Sequence, residues 1–242
     1  MFKIYNYILE SDQEKKDKLS EFMDTLKSPQ DLFKWMGIHV KFDWYNRYGN
    51  KRGRRDFGEE YLDKYRVMSP EEVFKYKLAL SKDSAIFSSY ILKNKFSIDS
   101  KYVHLRVDGC GEYNFTTYKN DDNWWVWFEP IWPPFKGMKK FSSIEKIIQF
   151  AVQQVINSKK YKGKSNGEYN YSILDKFPYR KRMKISDFRK EVENNMKSGK
   201  VNVVAPKKEM PQIKQKPPEQ TDDTIEQNNK PVEQLPPPDT QV

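Results

Sequence analysis

Three polar positions follow one another along the chain in an order that could assemble a catalytic site. Ser81 comes at the predicted start of a helix, Asn114 lies in a predicted strand, and Glu129 ends the next strand. The positive end of a helix dipole stabilises an anionic nucleophile, a histidine on a following strand serves as its base, and an acid orients that histidine. Here a serine and an asparagine occupy the first two of these positions.

The residues around these positions form four short motifs with a characteristic order. They are Ser69-Pro70-Glu71-Glu72-Val73, Leu78-Ala79-Leu80-Ser81-Lys82-Asp83, Tyr113-Asn114-Phe115-Thr116-Thr117-Tyr118 and Trp127-Phe128-Glu129-Pro130-Ile131-Trp132.

With these motifs, the span from about Asp31 to Ile156 resembles the small transglutaminase-like proteins, of papain-like fold, found in low-GC bacteria, their phages and mobile elements. The resemblance implies that Ser81 holds the position of the nucleophilic cysteine, Asn114 that of the histidine and Glu129 that of the orienting acid. It also implies a virion or mobile-element component. Only Glu129 keeps the chemistry of the family.

The two replacements argue against catalysis. Asparagine cannot accept and return a proton near neutral pH, and a serine hydroxyl without a base is a poor nucleophile. Loss of members of such a unit costs on the order of 10⁴–10⁶ in rate. We therefore expect no catalytic residue and no enzyme activity, and a structural or protein-binding role instead.

Two residues could substitute for the lost groups, which keeps a residual hydrolase or acyltransferase as an alternative. If residues 108–112 connect two strands, Arg106 pairs with Asn114, and His104 lies on the same face about 7 Å from the base position. Cys110, between two glycines, could be a reactive thiol or an ordinary free cysteine.

Basic residues suggest a second alternative, a nucleic-acid-binding protein. The chain carries a net charge of +10, and residues 1–199 alone carry +11. Four charges cluster at Lys51, Arg52, Arg54 and Arg55 beside aromatic residues, and a second basic run spans residues 179–184. Such clusters bind nucleic acid, contact an acidic partner protein or are simply solvated.

Tryptophans mark a third candidate binding surface. Alternation in the strand places Trp125 and Trp127 on one face of the sheet and Trp124, Val126 and Phe128 on the other. One face should be core, and the second, with Trp132, could be core, an interface or the floor of the old cleft.

The pattern of elements predicts an α+β fold, with helices packed on a small antiparallel sheet. Amphipathic helices are predicted over residues 10–27 and from Pro29, with Gly37 as a C-cap, and a capped helix runs from Ser69 to Leu80. After a second helix come three strands, at 102–107, 113–119 and 124–129, and a regular helix at 144–156. Residues 43–56 are predicted as a loop, and 185–196 as a peripheral helix.

Composition divides the chain into four parts. These are an N-terminal helical segment (1–29), the transglutaminase-like domain (30–157), a basic extension (158–199) and a disordered Pro- and Gln-rich tail (200–242), which lacks aromatic residues. With one cysteine, no signal peptide and no membrane span, we expect a cytoplasmic protein without metal or other cofactor.

Overall fold

The computed structural model describes residues 12–45, 51–52, 65–133, 135–175, 177, 183–194 and 196–201. They belong to one compact unit, Met1–Ala205, and the second unit, Pro206–Val242, lies outside the described residues. Of the predicted disordered tail, residues 200–242, the structure describes Lys200, which belongs to a strand, and Val201. The rest of the predicted tail lies outside the described residues, as do Arg54 and Arg55.

The described residues form six helices, and serine caps begin three of them. Serines at 28, 69 and 143 accept a hydrogen bond from the backbone N–H three residues on, and Pro29 and Pro70 occupy first helical positions. The helices are α1 (Asp12–Thr25), α2 (Pro29–His39), α3 (Pro70–Tyr76), α4 (Ser81–Phe96), α5 (Ile144–Asn157) and α6 (Ile185–Glu193).

Twelve strands are present in the same part of the chain, and six of them form the main sheet. The small strands are β1 (Lys41–Phe42), β2 (Trp44–Tyr45), β3 (Lys51–Arg52), β4 (Arg66–Val67), β5 (Leu78–Ala79) and β11 (Met183–Lys184). The main sheet has the order β12-β10-β6-β7-β8-β9 and is antiparallel throughout. Its strands are β6 (Ser100–Val107), β7 (Gly111–Lys119), β8 (Trp125–Glu129), β9 (Gly137–Phe141), β10 (Glu168–Leu174) and β12 (Lys197–Lys200). The α+β class is confirmed.

Helices cover both faces of this sheet. On one face, Val103 and Leu105 of β6 pack in a cluster with Ile147, Ala151 and other residues of α5. On the other face lies α4, and the Thr116 hydroxyl of β7 donates a hydrogen bond of 2.8 Å to its Ala85 carbonyl. Because side chains alternate along a strand, each face of β6 and β7 has its own environment.

The N-terminal helices pack against the outer side of α4. Leu32 and Met36 of α2 are fully buried in a cluster with Phe87 and Ile91 of α4. The prediction that Gly37 caps the end of α2 is wrong, because the helix continues to His39. A Cβ at this position would lie 2.5 Å from the Lys136 Nζ and 3.3 Å from the Pro130 carbonyl oxygen, so the glycine permits close packing.

The capped helix that begins after Ser69 is shorter than predicted. It ends at Tyr76, and Lys77 adopts a left-handed conformation with φ of 56°. Leu78 and Ala79 then form β5, which pairs in parallel with β1. This short strand delivers the chain to the start of α4, so the apolar run before Ser81 is a strand and not the end of a helix.

Three strands of the main sheet were absent from the prediction. They are β9, β10 and β12; the last two lie in the predicted basic extension, residues 158–199, and β10 pairs with β6 along six residues. The predicted loop at 43–56 contains β2 and β3, which pair with each other.

The β6–β7 hairpin has a different register from the predicted one. A tight turn over Asp108 to Cys110, closed by a 3.0 Å hydrogen bond from the Cys110 N–H to the Val107 carbonyl, connects the strands. Gly109 takes φ of 69° there, and a Cβ would lie 2.0 Å from the Lys164 carbonyl oxygen. Asn114 therefore pairs with His104 and not with Arg106.

Candidate functional site

Ser81 is the first residue of α4 and lies where the sheet meets this helix. The strand β5 brings the chain to this point, and Asp83 fixes the first turn by accepting a 2.9 Å hydrogen bond from the Leu80 N–H. Ser81 is 8% exposed. The serine thus stands at the positive end of a helix of 16 residues, as the sequence predicts.

Asp83 is a fully buried carboxylate that joins three segments of the chain. Besides the Leu80 N–H, it accepts hydrogen bonds from the Tyr65 hydroxyl at 2.6 Å and the Met68 N–H at 2.9 Å. Burial raises the pKa of Asp83 to about 6, although these hydrogen bonds and nearby Lys82 oppose the shift. The carboxylate orders the chain before Ser81.

Asn114 is the centre of a buried network on the α4 face of the sheet. Its Oδ1 accepts hydrogen bonds from the Tyr102 hydroxyl at 2.5 Å and from His104 Nδ1 at 2.8 Å. Its Nδ2 donates to Ser81 Oγ at 3.3 Å. The carboxamide thus contacts both Ser81 and His104 and stands between them.

His104 is a buried ring whose orientation is fixed by its contacts. Because Asn114 Oδ1 can only accept, the proton of the imidazole lies on Nδ1. Burial lowers the pKa of His104, while the hydrogen bond to Asn114 and the charge of Glu112 act in the opposite direction. The ring packs edge-on against Phe188 with 5.9 Å between centroids. Its Nδ1 donates a hydrogen bond to Asn114, so this nitrogen cannot act as a base for Ser81.

Glu129 lies on the opposite face of the sheet from Asn114. Phe128 pairs with Thr116, which faces α4, so the next side chain points towards α5. There Glu129 accepts hydrogen bonds from the Tyr113 hydroxyl at 2.7 Å and from the backbone N–H groups of Ile131 and Trp132, both at 3.0 Å. Burial raises the pKa of Glu129 despite these bonds. The structure therefore joins Ser81 with Asn114 but separates both from Glu129.

Cys110 lies in the β6–β7 turn and is 6% exposed. It packs with the side chains between the sheet and α5, and burial raises the pKa of its thiol, while a hydrogen bond with Ser165 lowers it. A buried thiol with a raised pKa is a weak nucleophile.

The predicted alternation is confirmed for residues 125–128, whose two faces are both covered, whereas Trp124 precedes the strand and is 44% exposed. Trp127 is fully buried, with Trp125 packed against the same α5 cluster, whereas Val126 and Phe128 belong to the cluster of the N-terminal helices. Trp132 stacks on Phe42 with 5.6 Å between ring centroids. Of the predicted basic cluster, Lys51 and Arg52 form the backbone of β3.

A cavity of about 470 Å³ opens beside Ser81. Its lining combines aromatic and charged side chains from the α4 start, the β6–β7 hairpin, α6 and the segment after α5. They are Phe42, Leu80, Ser81, Lys82, Arg106, Gly111, Glu112, Trp132, Lys160, Tyr161, Arg189 and Glu193.

Four residues important to this region were not predicted as site residues. Asp83 had a recognisable signal, a carboxylate three residues after the N-cap position, as in capping boxes. Tyr102 lies two residues before His104 and so on its face of the strand. Glu112 and Arg189, which form an ion pair of 3.0 Å, had no local signal because α6 meets the hairpin only in the folded chain.

No protein-family model and no curated protein matches the chain. Across the described residues, no helix is long and apolar enough to cross a membrane. Within the same ranges, no group of three or more His, Cys, Asp and Glu side chains is arranged to hold a metal ion.

Proposed function

We propose that this protein is a non-catalytic binding module of the transglutaminase-like class, of papain-like fold, that contacts a partner protein through the cavity beside Ser81. One observation carries the proposal: the Asn114 carboxamide contacts both Ser81 Oγ, at 3.3 Å, and His104 Nδ1, at 2.8 Å. The amide has no basic nitrogen, so Ser81 is not activated through it.

The separation of Glu129 from Ser81 and Asn114 supports the absence of catalysis. An acid that orients a catalytic histidine must lie within hydrogen-bond distance of its ring. Glu129 instead accepts three hydrogen bonds on the α5 face, where it holds the loop that carries Trp132. These hydrogen bonds give Glu129 a structural role that does not require a catalytic histidine.

Covalent probes test the absence of catalysis. Incubation of the full chain with a fluorophosphonate and, separately, with iodoacetamide should leave Ser81 unmodified in intact-mass and peptide mass spectra. Iodoacetamide should label Cys110 slowly in the native protein and fully after denaturation, which serves as the positive control. Stoichiometric fluorophosphonate labelling that disappears in Ser81→Ala would refute the proposal.

A role as a virion or mobile-element component is part of the proposal only through the family resemblance. Its test is co-purification of the full chain with particles from its native source, followed by cross-linking mass spectrometry. Cross-links from Lys160 to one particle protein support it, whereas a chain recovered as a free monomer contradicts it.

A further inference from the structure

Aromatic and charged side chains line the cavity beside Ser81. Phe42 and Trp132 are a stacked aromatic pair within this lining, with nearly parallel rings, 16° between their planes. Tyr161 and Leu80 extend the apolar lining. A volume of about 470 Å³ falls in the range of pockets that bind small ligands or a few side chains of a peptide.

The charged side chains of the lining are predominantly basic. Four of these six are Lys82, Arg106, Lys160 and Arg189, and the two acids are Glu112 and Glu193. Glu112 already pairs with Arg189, with 3.0 Å between Oε1 and Nε. The lining therefore carries a net charge of +2, and an acidic occupant complements it.

The start of α4 strengthens the preference of the cavity for an acidic occupant. Ser81 and Lys82, its first two residues, both line the cavity. The helix dipole adds partial positive charge at this end. Lys82 is only 6% exposed, and its Nζ lies 5.5 Å from the Phe188 ring centroid, so its charge is held in place behind the cavity.

We propose that this cavity binds an acidic segment of a partner protein in which a Glu or Asp residue adjoins an apolar residue. The carboxylate lies towards Lys82, Arg106 and Lys160, and the apolar side chain packs on Phe42 and Trp132. The identity of this segment rests on the proposed binding function.

The two acids in the lining, Glu112 and Glu193, favour a peptide over a nucleic acid as the occupant of the cavity. A phosphate backbone places a charge on every nucleotide and is read by a continuous basic groove. Here Glu112 and Glu193 interrupt the basic side chains, so a strand of phosphates would meet carboxylates within the same cavity. A single carboxylate with an apolar neighbour fits between them.

Peptide titration with the full chain tests this proposal. Fluorescein-labelled, end-capped peptides of alternating Glu and Leu, or of alternating Gln and Leu, are titrated by anisotropy at low salt. We expect the Glu peptide to bind with a dissociation constant below about 1 mM and the Gln peptide at least about fivefold more weakly. Amide shifts in NMR spectra should locate the bound peptide at residues 80–82 and at Glu112.

Charge reversal localises the contact. Lys160→Glu and Arg106→Glu should each weaken the Glu peptide about five- to tenfold, because each changes the lining by two charges. The matched control is Lys146→Glu, an exposed lysine on α5 outside this cavity, which should change affinity less than about twofold. Equal binding of the two peptides, or equal loss in all three variants, overturns the proposal.

A further titration uses single-stranded oligo-dT. The peptide proposal is also overturned if the Glu peptide does not bind while oligo-dT binds and is weakened by Lys160→Glu and Arg106→Glu. That result would assign the cavity to nucleic acid. This outcome leaves the absence of catalysis intact, because that claim is tested separately by the covalent probes.

Discussion

The carboxamide of Asn114 and the imidazole of His104 face each other directly across two antiparallel strands, 2.8 Å apart. The two side chains form a fixed acceptor–donor pair, and Tyr102 adds a second donor to the same oxygen. Asn114 is fully buried, and its Nδ2 donates a hydrogen bond to Ser81 Oγ. The centre of the site is therefore a satisfied polar network, which has consequences for stability as well as for chemistry.

Asn114→Leu should destabilise the protein by about 3 kcal/mol. The volume is nearly unchanged, but the Tyr102 hydroxyl and the His104 Nδ1–H lose their acceptor inside the protein. Urea unfolding followed by circular dichroism measures the change. The control Asn170→Leu alters a half-buried asparagine of the same sheet that accepts one bond, from Ser198, and should cost less than about 1 kcal/mol.

Equal losses in the two asparagine variants would contradict a special role for the network. A second readout separates the network from general packing. His104 should titrate at a pKa below its usual value in the wild type. Asn114→Asp should raise that pKa, because a carboxylate beside the ring favours the imidazolium. NMR of the imidazole protons follows both.

Asp83 should make the protein more stable at mildly acidic pH than a variant lacking this carboxylate. Its folded pKa of about 6 lies above the ordinary value of 3.8 for an aspartate, so between these values the folded state binds the proton more tightly than the unfolded state. Stability is highest below the unfolded pKa and is lost as pH rises through about 6. The total effect is about 3 kcal/mol.

The comparison of wild type with Asp83→Asn isolates this effect. His104, whose pKa is lowered, acts in the opposite direction, and Glu129, whose pKa is raised, acts in the same direction, but both are common to the two proteins. The free energy of unfolding of wild type minus that of Asp83→Asn should be about 2 kcal/mol larger at about pH 4.5 than at about pH 7.5. A flat difference would show that hydrogen bonds to Asp83 offset its burial.

Ser172 should be replaceable without loss of stability. It lies opposite His104 on β10, is fully buried, and its hydroxyl is without a hydrogen-bond partner in the described structure. Ser172→Ala should therefore change the free energy of unfolding by less than about 1 kcal/mol or raise it. The contrast is Thr116→Val, which removes a buried 2.8 Å hydrogen bond to the Ala85 carbonyl and should cost about 1–2 kcal/mol. Thermal melts of both variants give the comparison, and a larger loss in Ser172→Ala would reveal an unseen partner.

Local signals predicted the elements that have strong ends or strong periodicity. The capping box of Ser69 and Glu72 is present with both hydrogen bonds, and the apolar face of α5 is buried as its spacing indicates. These features depend on residues within four positions of one another. The start of α4 at Ser81 was predicted for the same reason.

The rest of the site depends on contacts between distant residues. β10 is separated from β6 along the chain by the hairpin, two further strands and α5, so its pairing partner has no local signal, although Tyr169, Tyr171 and Ile173 alternate along Glu168–Leu174. The hairpin register follows from the tight turn around Gly109, which placed His104 and not Arg106 opposite Asn114. The face of Glu129 depends in turn on the pairing of β7 with β8.

Replacement of Ser81 by cysteine and of Asn114 by histidine tests the family resemblance itself. In a Cys110→Ser background, Ser81→Cys alone should give a thiol of ordinary reactivity, whereas Ser81→Cys with Asn114→His places an imidazole next to that thiol at the start of α4. An ion pair of thiolate and imidazolium lowers the thiol pKa, so iodoacetamide should react at least about tenfold faster near pH 6.5. The pH dependence of alkylation, followed by mass spectrometry, measures this, and circular dichroism checks that both variants are folded. Because Glu129 lies on the other face of the sheet, we expect faster alkylation without turnover of an amide substrate. Identical alkylation rates in the two variants would mean that Ser81 and Asn114 do not hold the positions of a nucleophile and its base.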